Sequence, residues 1–233
     1  MDRRSLLSAG AAVAAAGVLS TPSAQAEPVR RNPFRVHLLV FDGADDLDFI
    51  APNEVFQHAA HTGERIETTL VTGAGPGTVT SAFGTRFEAA GWAPHEADLI
   101  VVAGGGNGSE DAPGVDREIE RGHLPAVLRA AQRPGLVLAA VCTGALLLAA
   151  AGITRGRPCT THHLAQDDLA RAGGRIVPGR VVDDGDLVTS GGVTSGLDLA
   201  LWLVERNFGA RTALRVESVL EYERRGTVWR DGR

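Results

Sequence analysis

Three short apolar runs constrain this chain more than any other feature: residues 34–41 (FRVHLLVF), 98–102 (DLIVV) and 136–141 (LVLAAV). Apolar runs of this length, lacking alternation, read as strands buried on both faces. Between and after them the pattern turns helical. Residues 48–61 put Val55, Phe56 and Ala59 on one face and stop at Gly63, with Pro52 placed early, where a helix tolerates proline. Residues 65–72 alternate as a further strand, 73–77 form a loop, and 78–89 hold short β-prone pieces. Helices are predicted over 115–132, 143–151 and 164–172, with a short strand before His162. A hairpin over 180–190 turns at Asp184-Gly185, and helices over 195–208 and 210–222 follow. Buried strands alternating with amphipathic helices imply an α/β fold with a mostly parallel sheet and right-handed crossovers. In such open sheets the chemistry sits beyond the carboxyl ends of the strands.

Composition narrows which chemistry that is. All 23 basic residues are Arg, which excludes a Schiff-base lysine and a Walker A loop. A net charge of −5 argues against a nucleic-acid surface. Two cysteines are too few for a disulfide scaffold or a four-thiolate zinc site. Seven histidines include the pairs His58/His61 and His162-His163, but no HExxH or three-ligand pattern, so no metal is expected.

The first 26 residues read as an export signal: Arg3-Arg4, an apolar stretch shorter than the ~20 residues of a spanning helix, then Ala24-Gln25-Ala26 as a small-x-small cleavage site. The paired arginines are similar to a twin-arginine signal. Residues 27–233 are then expected to form one exported domain, periplasmic or extracellular, with no membrane span in its mature form.

Three strand ends carry candidate groups. Cys142, in Val141-Cys142-Thr143-Gly144, sits where a strand turns into a helix. Small neighbours suit a nucleophile elbow, and the helix N-terminus is expected to lower the thiol pKa. The alternative is a buried structural cysteine. The run Gly104-Gly105-Gly106-Asn107-Gly108 offers backbone N–H groups to a developing oxyanion, or is an ordinary tight turn. Asp48, between Leu47 and Phe49, either points into a cleft as an acid/base partner or caps a helix. His162, after Cys159-Thr160-Thr161, either approaches Cys142 or is structural. In an oxidising compartment, Cys142 and Cys159 could also pair.

Taken together, Leu47-Asp48-Phe49-Ile50-Ala51-Pro52-Asn53-Glu54-Val55-Phe56, Ala103-Gly104-Gly105, Val141-Cys142-Thr143-Gly144 and Thr160-Thr161-His162-His163 resemble the ThiJ/PfpI superfamily, with its class I glutamine amidotransferase-like fold. With Ser190-Gly191-Gly192-Val193-Thr194-Ser195-Gly196, they are most similar to its isonitrile (isocyanide) hydratase branch. The resemblance implies a flavodoxin-like three-layer sandwich, a homodimer, and no metal or organic cofactor. It makes Cys142 the nucleophile and Asp48 its acid/base partner. Thr143 stands where protease-like relatives carry His, and Gly105 and Thr143 supply backbone N–H groups, with Gly104 and His162 beside the substrate. The implied reaction is hydration of an isonitrile to an N-substituted formamide.

Three rivals share the fold. A ligand-sensing regulator needs a DNA-binding region that this sequence is not expected to contain. A glyoxalase- or deglycase-like enzyme on small dicarbonyls generally carries Glu where Asp48 stands. An exported stress or binding protein would not need Cys142 as a nucleophile.

Overall fold

The computed structural model describes residues 32–106 and 112–230. The export segment and Asn107-Gly108 of the glycine run lie outside the described residues. In chain order the elements are β1 (Phe34–Leu39), α1 (Asp46–His61), β2 (Ile66–Val71), β3 (Gly77–Thr80), β4 (Arg86–Ala89), β5 (Leu99–Val102), α2 (Val115–Arg121), α3 (His123–Ala131), β6 (Val137–Ala140), α4 (Gly144–Ala150), β7 (Pro158–Cys159), α5 (Gln166–Arg171), β8 (Arg175–Ile176), β9 (Val181–Asp183), β10 (Leu187–Ser190), α6 (Ser195–Phe208), α7 (Ala210–Leu220) and β11 (Val228–Arg230).

Seven strands form the central sheet in the order β11-β9-β10-β6-β5-β1-β2, parallel at every pairing except β9 with β10. Successive residues of the apolar runs feed opposite faces, as the period of two demands. Leu38, Leu99, Val101, Ala139 and Val141 pack with Val55, Phe56 and Leu203 under α1, α6 and α7. Leu39, Ile100, Val102, Leu138 and Ala140 pack with Leu128, Leu147 and Leu148 under α2 to α5. The three-layer α/β sandwich expected from sequence is therefore present. Among the described residues no helix is long and apolar enough to cross a membrane.

The structure differs from the sequence expectation in several places. The helix predicted over 115–132 is two, because Gly122 adopts φ +70° and breaks the chain between α2 and α3. β11 adds an unexpected edge strand, pairing Trp229 with Val182 and Arg230 with Asp183. α1 begins at Asp46, two residues earlier than predicted, so Pro52 lies deeper inside the helix than the early position expected for it. Lacking an N–H, Pro52 cannot bond the carbonyl of Asp48 four residues before it.

Candidate active site

The residue after β6 and Val141 is Cys142, held at φ +57°, a left-handed conformation that costs a non-glycine residue about 1–3 kcal/mol. Its surroundings fix it there. The Cys142 N–H donates to the Gly191 carbonyl at 3.0 Å, and its own carbonyl accepts from Thr161 Oγ1 at 2.7 Å. Gly144 is needed for the elbow, since a Cβ there would lie 2.4 Å from the Val102 carbonyl oxygen. The thiol is buried, and Cys142 and Cys159 are both free. Cys159 lies instead in the β7–β8 ribbon, against Gly174.

Asp48 is not a helix cap. That place is taken by Asp45, whose Oδ1 accepts from the Leu47 N–H at 3.1 Å. Asp48 is completely buried, with Oδ2 accepting from the Gly104 N–H at 3.0 Å and Oδ1 lacking a conventional partner. Burial pushes its carboxyl up to about 8, and the neighbouring Asp45 charge adds to the rise. The Gly104 N–H and the Cys142 thiol pull it partly back.

Burial also pushes the Cys142 thiol up to about 12, with the Asp48 charge acting in the same direction. The N–H groups of Val193 and Thr143 and the Thr143 hydroxyl favour the thiolate without overcoming burial. The lowered thiol pKa expected from the helix N-terminus is therefore corrected: α4 spans only seven residues, and desolvation prevails. The arrangement resists two negative charges and is suited to passing one proton between sulfur and carboxyl.

The glycine loop positions these groups rather than presenting an open cradle. A Cβ on Gly104 would sit 2.7 Å from the Thr143 N and Oγ1 and 2.8 Å from Asp48 Oδ2. The Gly105 N–H, expected to face the substrate, donates to Thr143 Oγ1 at 3.0 Å. Gly105 also forms a bridge with Ala44, fastening the loop to the start of α1. The backbone donors that face the thiol are Thr143, as expected, and Val193, which sequence reasoning missed. Val193 is itself held at φ +47°.

His162 packs its ring against Gly192, where a Cβ would lie 2.1 Å from its Cδ2, and Nδ1 accepts from the Leu164 N–H at 3.3 Å. It therefore buttresses the segment carrying Val193. Burial and His163 hold its pKa below the usual histidine value. No group of three His, Cys, Asp or Glu side chains among the described residues is placed to hold a metal ion.

The sequence profile of the DJ-1/PfpI family matches residues 34–206. An isonitrile hydratase from Pseudomonas putida is 38% identical over 125 residues, 54% of this chain and 52% of that protein. The chain thus matches about half the length of that curated relative. A deglycase from Thermococcus kodakarensis is 28% identical over 162 residues, 67% of this chain and 89% of that protein. The crystal structure of a ThiJ/PfpI family protein from Pseudomonas syringae superposes with a TM-score of 0.73 at 24% identity, covering 83% of this chain and 77% of that one.

Proposed function

Because the chain belongs to the DJ-1/PfpI family, we propose that it is a cysteine-dependent enzyme that hydrates isonitriles to N-substituted formamides. The observation that carries this reading is the pairing of Cys142 with a fully buried Asp48 raised to about 8. Near neutral pH that carboxyl is mostly protonated, so it can deliver a proton to the carbon that the sulfur attacks. The isonitrile hydratase relative supports the same choice. Thr143 at the elbow, bonded to Gly105, leaves no imidazole there to serve peptide or glutamine hydrolysis.

In the proposed cycle the Cys142 sulfur attacks the terminal carbon of the isonitrile. Asp48 delivers its proton to that carbon and takes up the thiol proton, giving a thioimidate and restoring the acid. Water then adds to the C=N bond, and collapse of the adduct expels Cys142 as the thiol and releases the formamide. Covalent capture divides a difficult hydration into two easier steps. The Thr143 and Val193 N–H groups steady negative charge on sulfur as it forms and leaves.

The reading includes a homodimer and export before activity, through Arg3-Arg4 and the Ala24-Gln25-Ala26 site. Size-exclusion chromatography and cell fractionation test those two elements. Dicarbonyl deglycation is the second reading, favoured by the deglycase relative whose similarity spans 67% of the chain.

The experiment uses protein starting at residue 27 beside Cys142→Ala, incubated with alkyl and aryl isocyanides, with formamide quantified by mass spectrometry. Formamide from the parent alone is the expected result. Failure to form any, with the thiol titrated as reduced, overturns the hydratase reading, and methylglyoxal turnover would then favour the second.

A further inference from the structure

We propose that Arg180 is a positioning residue for Cys142, gripping both ends of the loop over residues 191–194 that lies against the elbow. This role rests on the reading of Cys142 as the nucleophile and on no particular substrate. β10 pairs with β6, Thr189 opposite Ala140, so the loop leaving β10 lies beside the elbow that follows β6. β9 runs antiparallel to β10 with Val181 opposite Ser190, which sets Arg180 beside Gly191.

That register lets the Arg180 carbonyl accept from the Gly191 N–H at 2.9 Å. From the same residue, Nη2 donates to Thr194 Oγ1 at 2.8 Å. Between these two anchors the loop meets Cys142 twice. The Gly191 carbonyl accepts from the Cys142 N–H at 3.0 Å, and the Val193 N–H faces the sulfur.

The guanidinium is itself fixed. Its Nε donates to Asp198 Oδ2 at 2.5 Å, and the same oxygen accepts from the Tyr222 hydroxyl at 3.0 Å. Asp198 Oδ1 accepts from the Arg225 N–H at 2.7 Å. A carboxylate only 3% exposed and bonded on both oxygens is held firmly, and it holds the planar fork of Arg180 in turn. One arm of the fork meets the carboxylate and the other is free to reach the loop.

Val193 needs that grip. It is β-branched yet sits at φ +47°, a conformation that persists only where the surroundings over-determine it. His162 buttresses Gly192 on one side of it, and Arg180 holds Thr194 on the other. With Thr194 released, Val193 relaxes towards negative φ and its N–H turns away from the sulfur.

The test needs no substrate. Alkylation of Cys142 by iodoacetamide is followed by mass spectrometry from pH 7 to 9 in the parent and in variants whose fold is checked by circular dichroism. Thr194→Val changes an exposed side chain and leaves the Arg180–Asp198 pair in place. It should alkylate about threefold more slowly: loss of one hydrogen bond lowers the thiolate fraction about tenfold, and the more basic sulfur regains part of that in nucleophilicity. Thr194→Ser, which keeps the acceptor, should react at the parental rate. Arg180→Met should react as slowly as Thr194→Val, and the double variant no more slowly than either, because all three lack the same bond. Arg180→Met also takes the ion partner from Asp198; if it does not fold, the two Thr194 variants decide alone. A parental or faster rate in folded Thr194→Val overturns the proposal, as does a Thr194→Ser rate as low as that of Thr194→Val. Additive losses in the double variant also overturn it. A lack of formamide production would remove the hydratase reading without altering any of these rates.

Discussion

The carboxyl of Asp48 and the thiol of Cys142 occupy one desolvated pocket in which each shifts the other's pKa, in opposite directions. The Asp48 charge pushes the thiol up, and the thiol draws the carboxyl down against the larger effect of burial. A third group links them, since Gly104 bonds Asp48 and leaves no room for a side chain between it and Thr143.

Asp48→Asn keeps an acceptor for the Gly104 N–H but cannot transfer a proton. Formamide turnover should fall by about 10²–10⁴-fold, the usual range for a positioned general acid, with an unchanged circular dichroism spectrum. Parental turnover would remove Asp48 from the chemistry and leave it a packing residue.

The pH dependence follows from the protonated form of Asp48. If the acid is required, kcat/KM should be flat on approaching neutrality from below and fall as pH rises through about 8. A rate that instead climbs steadily from pH 7 to 10 would mean that thiolate formation alone limits the reaction.

Stability should depend on the same group with a definite sign. The folded protein holds the Asp48 proton up to about 8, whereas the unfolded chain releases it near 3.8. The stabilisation is therefore complete below about 4 and is lost progressively as pH rises through about 8. Asp48→Asn, which cannot ionise, should melt higher than the parent at pH 8.5, with the gap closing towards pH 4. Each kcal/mol corresponds to about 2–4 °C at this size.

Thr143→Val preserves shape but removes the acceptor of the Gly105 N–H. An orphaned amide of this kind costs about 1–3 kcal/mol, readable as a lower denaturation midpoint. Turnover should fall too, because the hydroxyl also favours the Cys142 thiolate. Thr143→Ser should restore most of both.

Gly104→Ala separates steric from conformational effects, since Gly104 is not among the glycines with positive φ. Its new methyl would meet backbone and carboxylate, and overpacking at such a site costs about 1–3 kcal/mol. Loss of formamide production together with a lowered melting temperature is expected. An active, equally stable variant would show that the loop can yield.

The layered fold is legible because strands buried on both faces must be apolar throughout, and the runs ending at Phe41, Val102 and Val141 show this plainly. Asp48, Gly104, Cys142 and Thr143 are legible as types of residue at strand ends, and the structure brings all four together. Val193 and Thr161 are harder to find. Val193 contributes an N–H that every residue except proline possesses, and Thr161 braces a carbonyl from a segment distant in sequence. The break at Gly122 hides inside an otherwise helical pattern. β11 is too short to show a period, and its place depends on β9.

Cys142 and Val193 both sit in left-handed backbone without being glycine, and Asp48 is a buried acid with an unpaired oxygen. Each is a position where another residue would suit the fold better: glycine at the first two, an uncharged side chain at the third. A directed-evolution campaign that selects for heat resistance alone should therefore accumulate changes here early and return robust, inert proteins. Its survivors would mark the reaction centre by what they had discarded.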